Sequence, residues 1–434
     1  MIPNEVKYII NTLIKNGYTA YIVGGAVRNT VMNRPVKDWD ITTSALPSEV
    51  EALFDKTYNV GKSFGTIIVK LDQNYEVTTY RTEDEYDGRK PHKIEFSNHV
   101  LDDLKRRDFT MNAMIMSLDG KITDYFKGQE DINHKIIQTV GNPIDRFTED
   151  YLRVYRYVRF TNEYDLSLNE AIDKTIIEMP INYNISAERI REEFNKMILS
   201  KRPSNAIKHL NKVGLLEYIM PEIISCIGFE QHSKFHHLDV FEHTMKALDE
   251  TPPELTIRLA TLCHDIGKPE SFELVDNQGR FYGHDKASVT LADKFLSRLK
   301  YDNKIKEDVL LLVGNHMRLL DLDNKKSVKK FIKKIGENRL DAYLQLRRAD
   351  ILSSTTNDTL ESVEKMRLCF KSILESKEPI SLNDLAINGH DLMSLGYEGK
   401  QIGMIKKHLL EIILDKPELN NKESLLKLTK EINL

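Results

Sequence analysis

The chain reads as a multidomain α+β protein: an N-terminal mixed β-sheet head, then an all-α neck, body and tail. Three observations predict this. Short β-type runs (Tyr21–Val23, Trp39–Thr42, Thr66–Leu71, Tyr75–Tyr80, Ile94–Phe96 and Ala113–Ser117) alternate with helical segments through the first 140 residues. After Gly141-Asn142-Pro143 the patterned segments read as helices. The 434 residues suffice for several domains and a substantial core. The expected boundaries are a head at 1–140, a neck at 141–200, a body at 201–355 and a tail at 356–434.

Composition narrows the function classes. Charged residues make up 29% and hydrophobic ones 41%, ordinary for a globular chain, and the formal net charge of −4 carries no global basic signature. Any nucleic-acid surface is therefore a local patch. Three well-separated cysteines, Cys226, Cys263 and Cys369, imply no disulfide framework and fit a reducing cytoplasm. The opening MIPNEVKYIINTLIKNGY reads as an amphipathic helix ending near Gly17, not a signal peptide. No stretch approaches the ~20 apolar residues that span a bilayer, and the sequence shows no repeat. Neither a membrane nor DNA is expected as a partner; oligomeric state is open.

The head opens with a short helix, then YIVGGAVRNTVMNRPVKDWDITT at residues 21–43. The apolar run 21–23 predicts a strand broken at Gly24-Gly25, where backbone can approach a ligand closely. A helix carrying Arg28 follows, with free N–H groups at its start suited to phosphate. Asp38 and Asp40 are two apart, so in a strand they share a face, with Trp39 and Ile41 turned away. Paired carboxylates of this kind suit Mg²⁺, which completes its shell with substrate phosphates. Further on, Glu76 sits in an alternating run and is either a third carboxylate near the metal or a strand-edge charge. A helix near Pro47–Phe54 completes this part. The polar stretch 82–93, TEDEYDGRKPHK, reads as a mobile loop in which Arg89 is a residue of interest. In RRDFTMNA, Arg107 can fork onto phosphate oxygens and Asp108 can accept from a ribose hydroxyl.

In the neck, a helix is expected from Asp145, with Thr148 as N-cap and Glu149 and Asp150 in its first turn. Asp150, Arg153, Arg156 and Arg159 recur every three residues as one polar stripe. The plain reading is an Asp150–Arg153 ion pair worth a few tenths of a kcal/mol. The functional reading is sharper. A carboxylate accepts and a guanidinium only donates. Cytosine and adenine each show an amino donor beside a ring-nitrogen acceptor; uracil and guanine show the reverse. One Asp/Arg pair can therefore select C and A.

The order strand, Gly-Gly, Arg-bearing helix, Asp-x-Asp resembles the active-site signature of polymerase-beta-like nucleotidyltransferases. The spelling GGAVR…DWDITT is similar to the branch holding bacterial CCA-adding enzymes and poly(A) polymerases. RRDFTMNA, the hinge-like Asp124–Gly128, the nucleotide-selecting EDxxR at Glu149, Asp150 and Arg153, and the bracing helix AERIREEF (187–194) resemble further motifs of that family, in order. The resemblance implies a template-independent enzyme adding CMP and AMP from CTP and ATP to tRNA 3′ ends. Its catalytic residues are Asp38 and Asp40 with Mg²⁺; its nucleotide-binding set is Gly24, Gly25, Arg28, Arg107, Asp108, Glu149, Asp150, Arg153, Arg156 and Arg159. In that family a flexible loop at the position of 82–93 helps switch the base being added. The alternatives are a poly(A) polymerase or a CC- or A-adding enzyme.

The body carries another constellation: His243, His264-Asp265 followed by Ile-Gly-Lys-Pro, His284, His316 and Asp350. Imidazoles with carboxylates hold divalent or transition metals and activate water. The pattern resembles the HD-type phosphohydrolases, over about 236–350. That resemblance implies His243, His264, Asp265 and Asp350 as ligands of one metal, His284 and His316 as ligands of a second, and Lys268 as a phosphate contact. It also opens a reading of another class, a metal-dependent phosphohydrolase with a degenerate head. Between these ligands, the lysine pairs of 324–335 leave one helix face basic, either solvated surface or a tRNA backbone contact. In the tail, the glycines of 389–403 with Lys400, Lys406 and Lys407 are either helix-capping turns or a seat for RNA backbone.

Overall fold

The structure, a computed structural model, describes the chain except residues 62–63, 88–89, 183, 233–237, 355–358 and 433–434, and the side chains of 60–61, 84–87 and 90–93. It divides into two compact units, Met1–Tyr218 and Ile219–Leu434.

The first unit begins with α1 (Asn4–Lys15), whose Val6, Ile9, Ile10 and Leu13 recur at helical spacing and are buried. Next come β1 (Ala20–Val23), α2 (Gly25–Val31), β2 (Asp40–Thr43), α3 (Pro47–Leu53), β3 (Thr57–Gly61), β4 (Thr66–Lys70) and β5 (Asn74–Thr79). After these lie β6 (Arg81–Asp87), β7 (Lys90–Phe96), α4 (Val100–Lys105), β8 (Met114–Met116), β9 (Ile122–Asp124) and α5 (Gly128–Asn133). Seven strands form one sheet in the order β3-β4-β5-β2-β1-β8-β9. Its central strands β2 and β5 are parallel, with Ile41 opposite Val77. Period-2 alternation on β5 buries Tyr75, Val77 and Thr79 and leaves Glu76 outward. Ile22, Ile41, Ile67, Val69 and Val77 pack on the α1 stripe, each burial contributing roughly 1.5–3 kcal/mol.

Three expectations change here. β3 and β9 are strands that the β-type runs did not include. The polar stretch 82–93 is a paired ribbon: β6 and β7 run antiparallel from Arg81↔Phe96 to Asp87↔Lys90. Ladder bonds use backbone groups only, so strands of polar residues can pair without hydrophobic alternation in the sequence. Pro91 is tolerated because each strand of a lone ribbon has an open edge. Arg89 lies outside the described residues.

The remaining helices of this unit are α6 (Pro143–Glu149), α7 (Leu152–Glu163), α8 (Glu170–Glu178), α9 (Ala187–Ile198), α10 (Pro203–Lys212) and the short α11 (Leu216–Ile219). α6 starts earlier than expected: Asn142, not Thr148, caps it by accepting from Ile144 N–H, with Pro143 at the first position. Thr148 Oγ1 donates to the Ile144 carbonyl within that helix. Glu149 is its last residue, and Asp150 is its extended C-cap, so the chain breaks between Asp150 and α7. α10 is fastened to the neck by His209 and Lys212, both bound to the buried Asp173 at 2.9 and 2.7 Å.

The second unit holds α12 (Val240–Asp249), α13 (Leu255–Cys263), the hairpin β10 (Glu273–Val275) and β11 (Gln278–Arg280), α14 (His284–Arg298) and α15 (Asn303–Val313). α16 (Lys325–Ile335), α17 (Leu340–Ser353), α18 (Leu360–Glu375), α19 (Gly389–Met393), α20 (Lys400–Ile413) and α21 (Lys422–Glu431) complete it. The tail has its own apolar cluster, including Leu385, Leu392, Ile405, Leu409 and Leu425. Among the described residues no helix is long and apolar enough to cross a membrane.

Candidate active site and metal centre

Asp40 opens β2 at the point where the strand leaves Asp38 behind in irregular chain. Strand alternation therefore does not place Asp38, contrary to expectation; it does place Ile41 in the core, with Trp39 packed against it. The parallel register that sets Ile41 beside Val77 brings Asp40 next to Glu76. Burial pushes the Asp40 carboxyl up; Arg107 draws it down and Asp38 pushes it up again. Glu76 is likewise raised, by burial first and then by Asp40 and Asp38. Three mutually repelling carboxylates at one sheet end are the donor set a hard divalent cation relieves.

Gly24 bends the chain into α2 with φ +69°, and a Cβ there would stand 3.1 Å from Arg107 Nη1 and 3.8 Å from Asp40 Oδ2. Glycine is thus required both by conformation and by the closeness of the site. Arg28 is buried. It donates to Asn112 Oδ1 at 2.6 Å and to Asn29 Oδ1, and lies 4.5 Å from the Tyr164 ring centre. A cleft of about 390 Å³ runs from Gly25, Asp38 and Asp40 past Arg28, Arg34 and Lys37 to Glu163 and Tyr164 at the end of α7. Asp38 and Asp40 thus share this cleft with the C-terminal end of α7, whereas Asp150 and Arg153 do not line it.

Segment 106–108 ties that cavity to the neck at several points. The Arg106 carbonyl accepts from Arg153 Nη2 at 2.8 Å. Asp108 Oδ2 accepts from Arg156 Nε at 2.7 Å and lies 2.7 Å from its Nη2, while its Oδ1 accepts from Phe109 N–H and Asn112 Nδ2. Burial alone pushes Asp108 up, but Arg156, Asn112 and Arg153 outweigh it and bring its carboxyl down to about 2. Asp108 is thus engaged both with α7 and with its own segment.

The expected stripe on the neck helix is distributed differently. Asp150 lies off α7 and makes no pair with Arg153; its Oδ2 accepts from Arg189 Nη2 on α9 at 2.8 Å and its Oδ1 caps Leu152 N–H. Arg153 pairs with Glu149 instead. Arg159 is bound by Glu193 at 2.6 Å and Glu163 at 2.9 Å. Arg156 and Arg159, like Arg153, are thus each held by carboxylates. Residues that sequence reading left unassigned include Asn112, Glu193 and Asp103. Asp103 had a legible signal, since it precedes Arg106 and Arg107 at ion-pair spacing.

In the second unit the six ligand-type residues converge. His243 Nε2 lies 3.4 Å from Asp265 Oδ2 and 3.3 Å from Asp350 Oδ1, and His264 Nε2 lies 3.2 Å from Asp265 Oδ2. On the other side, His284 and His316 Nε2 lie 3.5 and 3.4 Å from Asp265 Oδ1. Asp265 bridges the two trios. Nδ1 of His264, His284 and His316 meets the carbonyls of Thr261, Phe281 and Val313 at 2.6–2.7 Å, which fixes the tautomer and turns each Nε2 lone pair inward. Burial pushes Asp265 up, but His264 and Lys268 hold it well below the usual carboxylate range. Lys268 Nζ stands 2.6 Å from Asp265 Oδ2, and Gly267 lets α14 pass so close that a Cβ would meet Ser288 N at 2.4 Å. Asp265 Oδ1 makes no hydrogen bond. Imidazole and carboxylate donors converging with a buried oxygen left over fit a divalent or transition metal.

The basic face of α16 is partly spent within the fold. Lys326 and Lys330 reach Asp415 and Glu411 at 2.6 Å, and the buried Lys329 reaches Glu378 at 2.7 Å and the Leu414 carbonyl at 2.9 Å. Val328, Phe331, Ile332 and Ile335 face inward as expected, joined by Lys329, which was not. Gly396 and Gly399 occupy positive-φ turns before α20.

A sheet head with clustered acids beside an arginine-held neck helix, followed by a His/Asp helical module, defines a nucleotidyltransferase with an appended HD module. Family profiles agree: "Poly A polymerase head domain" matches residues 20–138, "Probable RNA and SrmB- binding site of polymerase A" 183–227, and "HD domain" 235–355. A CCA-adding enzyme of Staphylococcus epidermidis is 31% identical over 97% of this chain and 96% of its own length. The chain belongs to the family of CCA-adding enzymes. One from Bacillus velezensis is 43% identical over 55% of this chain; that match, and one to Bacillus subtilis, span only 62% and 53% of those relatives. The structure of the Bacillus stearothermophilus CCA-adding enzyme in complex with CTP aligns with TM-score 0.76 at 28% identity, covering 99% of this chain and 98% of that one.

Proposed function

We propose that the protein is a CCA-adding tRNA nucleotidyltransferase that transfers CMP and AMP from CTP and ATP to the tRNA 3′ end and releases pyrophosphate. The observation that carries this is the junction at 106–108, which joins Asp40 and Arg107 to the neck segment bearing Glu149, Asp150 and Arg153. Asp38, Asp40 and Glu76 hold Mg²⁺ in this reading. When bound there, Mg²⁺ supplies Lewis-acid activation of the 3′-hydroxyl and neutralises charge on the triphosphate. Gly24, Gly25, Arg28 and Arg107 cradle the phosphates, and Arg153 and Asp150 read the base edge, each held by a partner (Glu149 and Arg189). Asp108, Arg156 and Arg159 serve this site from behind, fixing α7 against the head. The tRNA body rests on the helical segments, with the exposed Lys333 and Lys334 and the tail glycines as candidate backbone contacts. The three free cysteines support a reading of the protein as cytoplasmic.

The His/Asp centre of the second unit is read as a divalent or transition metal site able to activate water against a phosphoester. The convergence of its six ligands favours this as a second activity beside nucleotide transfer.

The test supplies tRNAs ending before CCA, after C and after CC, with each labelled nucleoside triphosphate in turn, and sizes the products. Arrest at CCA is expected. A ladder of A residues, or no incorporation at all, overturns the assignment.

A further inference from the structure

We infer that Asp103 is the positioning residue that aims Arg107 at the nucleotide's phosphates and keeps it from collapsing onto Asp40. The inference rests on the reading of the head as the transfer site.

Asp103 lies on α4, wholly buried. Its Oδ1 accepts from Arg106 Nε at 2.9 Å and from Arg106 Nη2; its Oδ2 accepts from Arg107 Nη2 at 3.1 Å and Thr42 Oγ1 at 3.2 Å. Thr42 is two residues beyond Asp40 on β2, so one carboxylate is bolted both to the strand that carries the acid and to the arginine beside it.

Arg107 is held by one corner only. Its Nη2 is on Asp103, its Nη1 faces Gly24, and its Nε is buried without a hydrogen-bond partner. Its positive charge already acts on Asp40. A guanidinium donates through a rigid planar fork, so fixing Nη2 fixes the direction of the other edge. Its Nη1 then stands at the Gly24 turn beside Asp40, where a phosphate oxygen can accept from it. Freed from Asp103, the same fork would be drawn to the nearest carboxylate, Asp40, and would compete with Mg²⁺ for its oxygens.

The neighbouring charges support a pivot rather than a general filler. Arg106 spans Asp103 and Glu83 at the base of the ribbon, its Nη1 3.0 Å from Glu83 Oε1, and so balances the second charge of the pair without approaching Asp40.

The experiment is a double-mutant cycle in the full chain: Asp103→Asn, Arg107→Ala and both together, with kcat and KM for CTP and ATP, KM for tRNA, and the Mg²⁺ concentration for half-maximal incorporation. Asp103→Asn is expected to raise nucleotide KM and the Mg²⁺ requirement by about tenfold each, the scale of one misplaced charge-assisted contact. tRNA KM should stay unchanged, and no further loss should appear in the Arg107→Ala background. Additive losses, or an unchanged Mg²⁺ requirement, overturn the inference. Should Asp103→Asn fail to fold, Asp103→Glu keeps the buried charge while displacing Arg107; it is expected to raise nucleotide KM, and wild-type kinetics in it overturn the inference equally. Incorporation surviving Asp38→Ala with Asp40→Ala would instead sink the reading of the head.

Discussion

Asp108 and Arg156, forty-eight residues apart, meet through a hydrogen bond from Arg156 Nε and an ion-pair contact from its Nη2, each 2.7 Å from a single carboxylate oxygen. This contact fixes the angle between the strand end holding the acids and the helix following Asp150. It also has a pH signature. Asp108 is held down at about 2 in the fold against roughly 3.9 in an unfolded chain. A depressed carboxyl contributes stability that is present above the unfolded value and is lost as pH falls toward the folded one. The contribution is on the order of 2–3 kcal/mol. Acid unfolding of wild type should therefore steepen between about pH 4 and 2, and Asp108→Asn should flatten that part of a stability-versus-pH curve. An unchanged slope in the variant refutes the assignment.

Asp38→Ala with Asp40→Ala should lower CMP and AMP incorporation by roughly three orders of magnitude, the scale of losing a charge stabiliser and its metal. Because neither carboxylate is assigned a tRNA backbone contact, tRNA affinity measured by filter binding should hold within about twofold.

Arg189 contacts Asp150 but not Arg153. Arg189→Ala should leave Asp150 free to rotate and reduce discrimination for CTP and ATP over UTP and GTP by about tenfold, within the ~1–3 kcal/mol of one base contact. Competition between labelled nucleotides measures this directly. Preserved discrimination means the brace has no part in selection.

Asp265→Ala removes the bridge between both trios and should abolish binding of added Mn²⁺, Co²⁺ or Ni²⁺, read by calorimetry on chelator-treated protein. His284→Ala should remove one binding event and keep the other. Nucleotide incorporation should persist in both variants.

Lys329 is 1% exposed yet charged, between Glu378 and the Leu414 carbonyl. Lys329→Met keeps the stem but strands both acceptors, so stability should fall by roughly 2 kcal/mol. Lys333→Ala with Lys334→Ala, on the exposed side, should leave the thermal midpoint in place. The same change should reduce the salt dependence of tRNA binding by about one unit of slope per lost phosphate contact.

Much of this was legible before any coordinates. The alternation of Tyr75, Val77 and Thr79 announced a strand with Glu76 outward, and the α1 stripe announced a packed helix, because both periods are imposed by backbone geometry. The six metal-type residues of the body were legible as a set, since buried imidazoles rarely cluster idly. Of the β6–β7 ribbon only Ile94–Phe96 was legible, because backbone pairing between polar residues leaves no hydrophobic alternation. The start of α6 was misplaced, since Asn142 and Thr148 are both competent caps and only the chain's path selects between them.

By itself, then, the sequence determined which residue types are available for chemistry: acids, arginines and imidazoles in motifs whose types limit what they can bind. Only the tertiary structure decided their partners. Pairing between charges depends on which elements meet, and a guanidinium takes the carboxylate that burial places within reach. So Arg189 went to Asp150 and Arg156 to Asp108, pairs too far apart in the chain to be read from spacing, while Arg153–Glu149 and Arg107–Asp103 have ion-pair spacing and only the fold selected them over the Asp150–Arg153 pair.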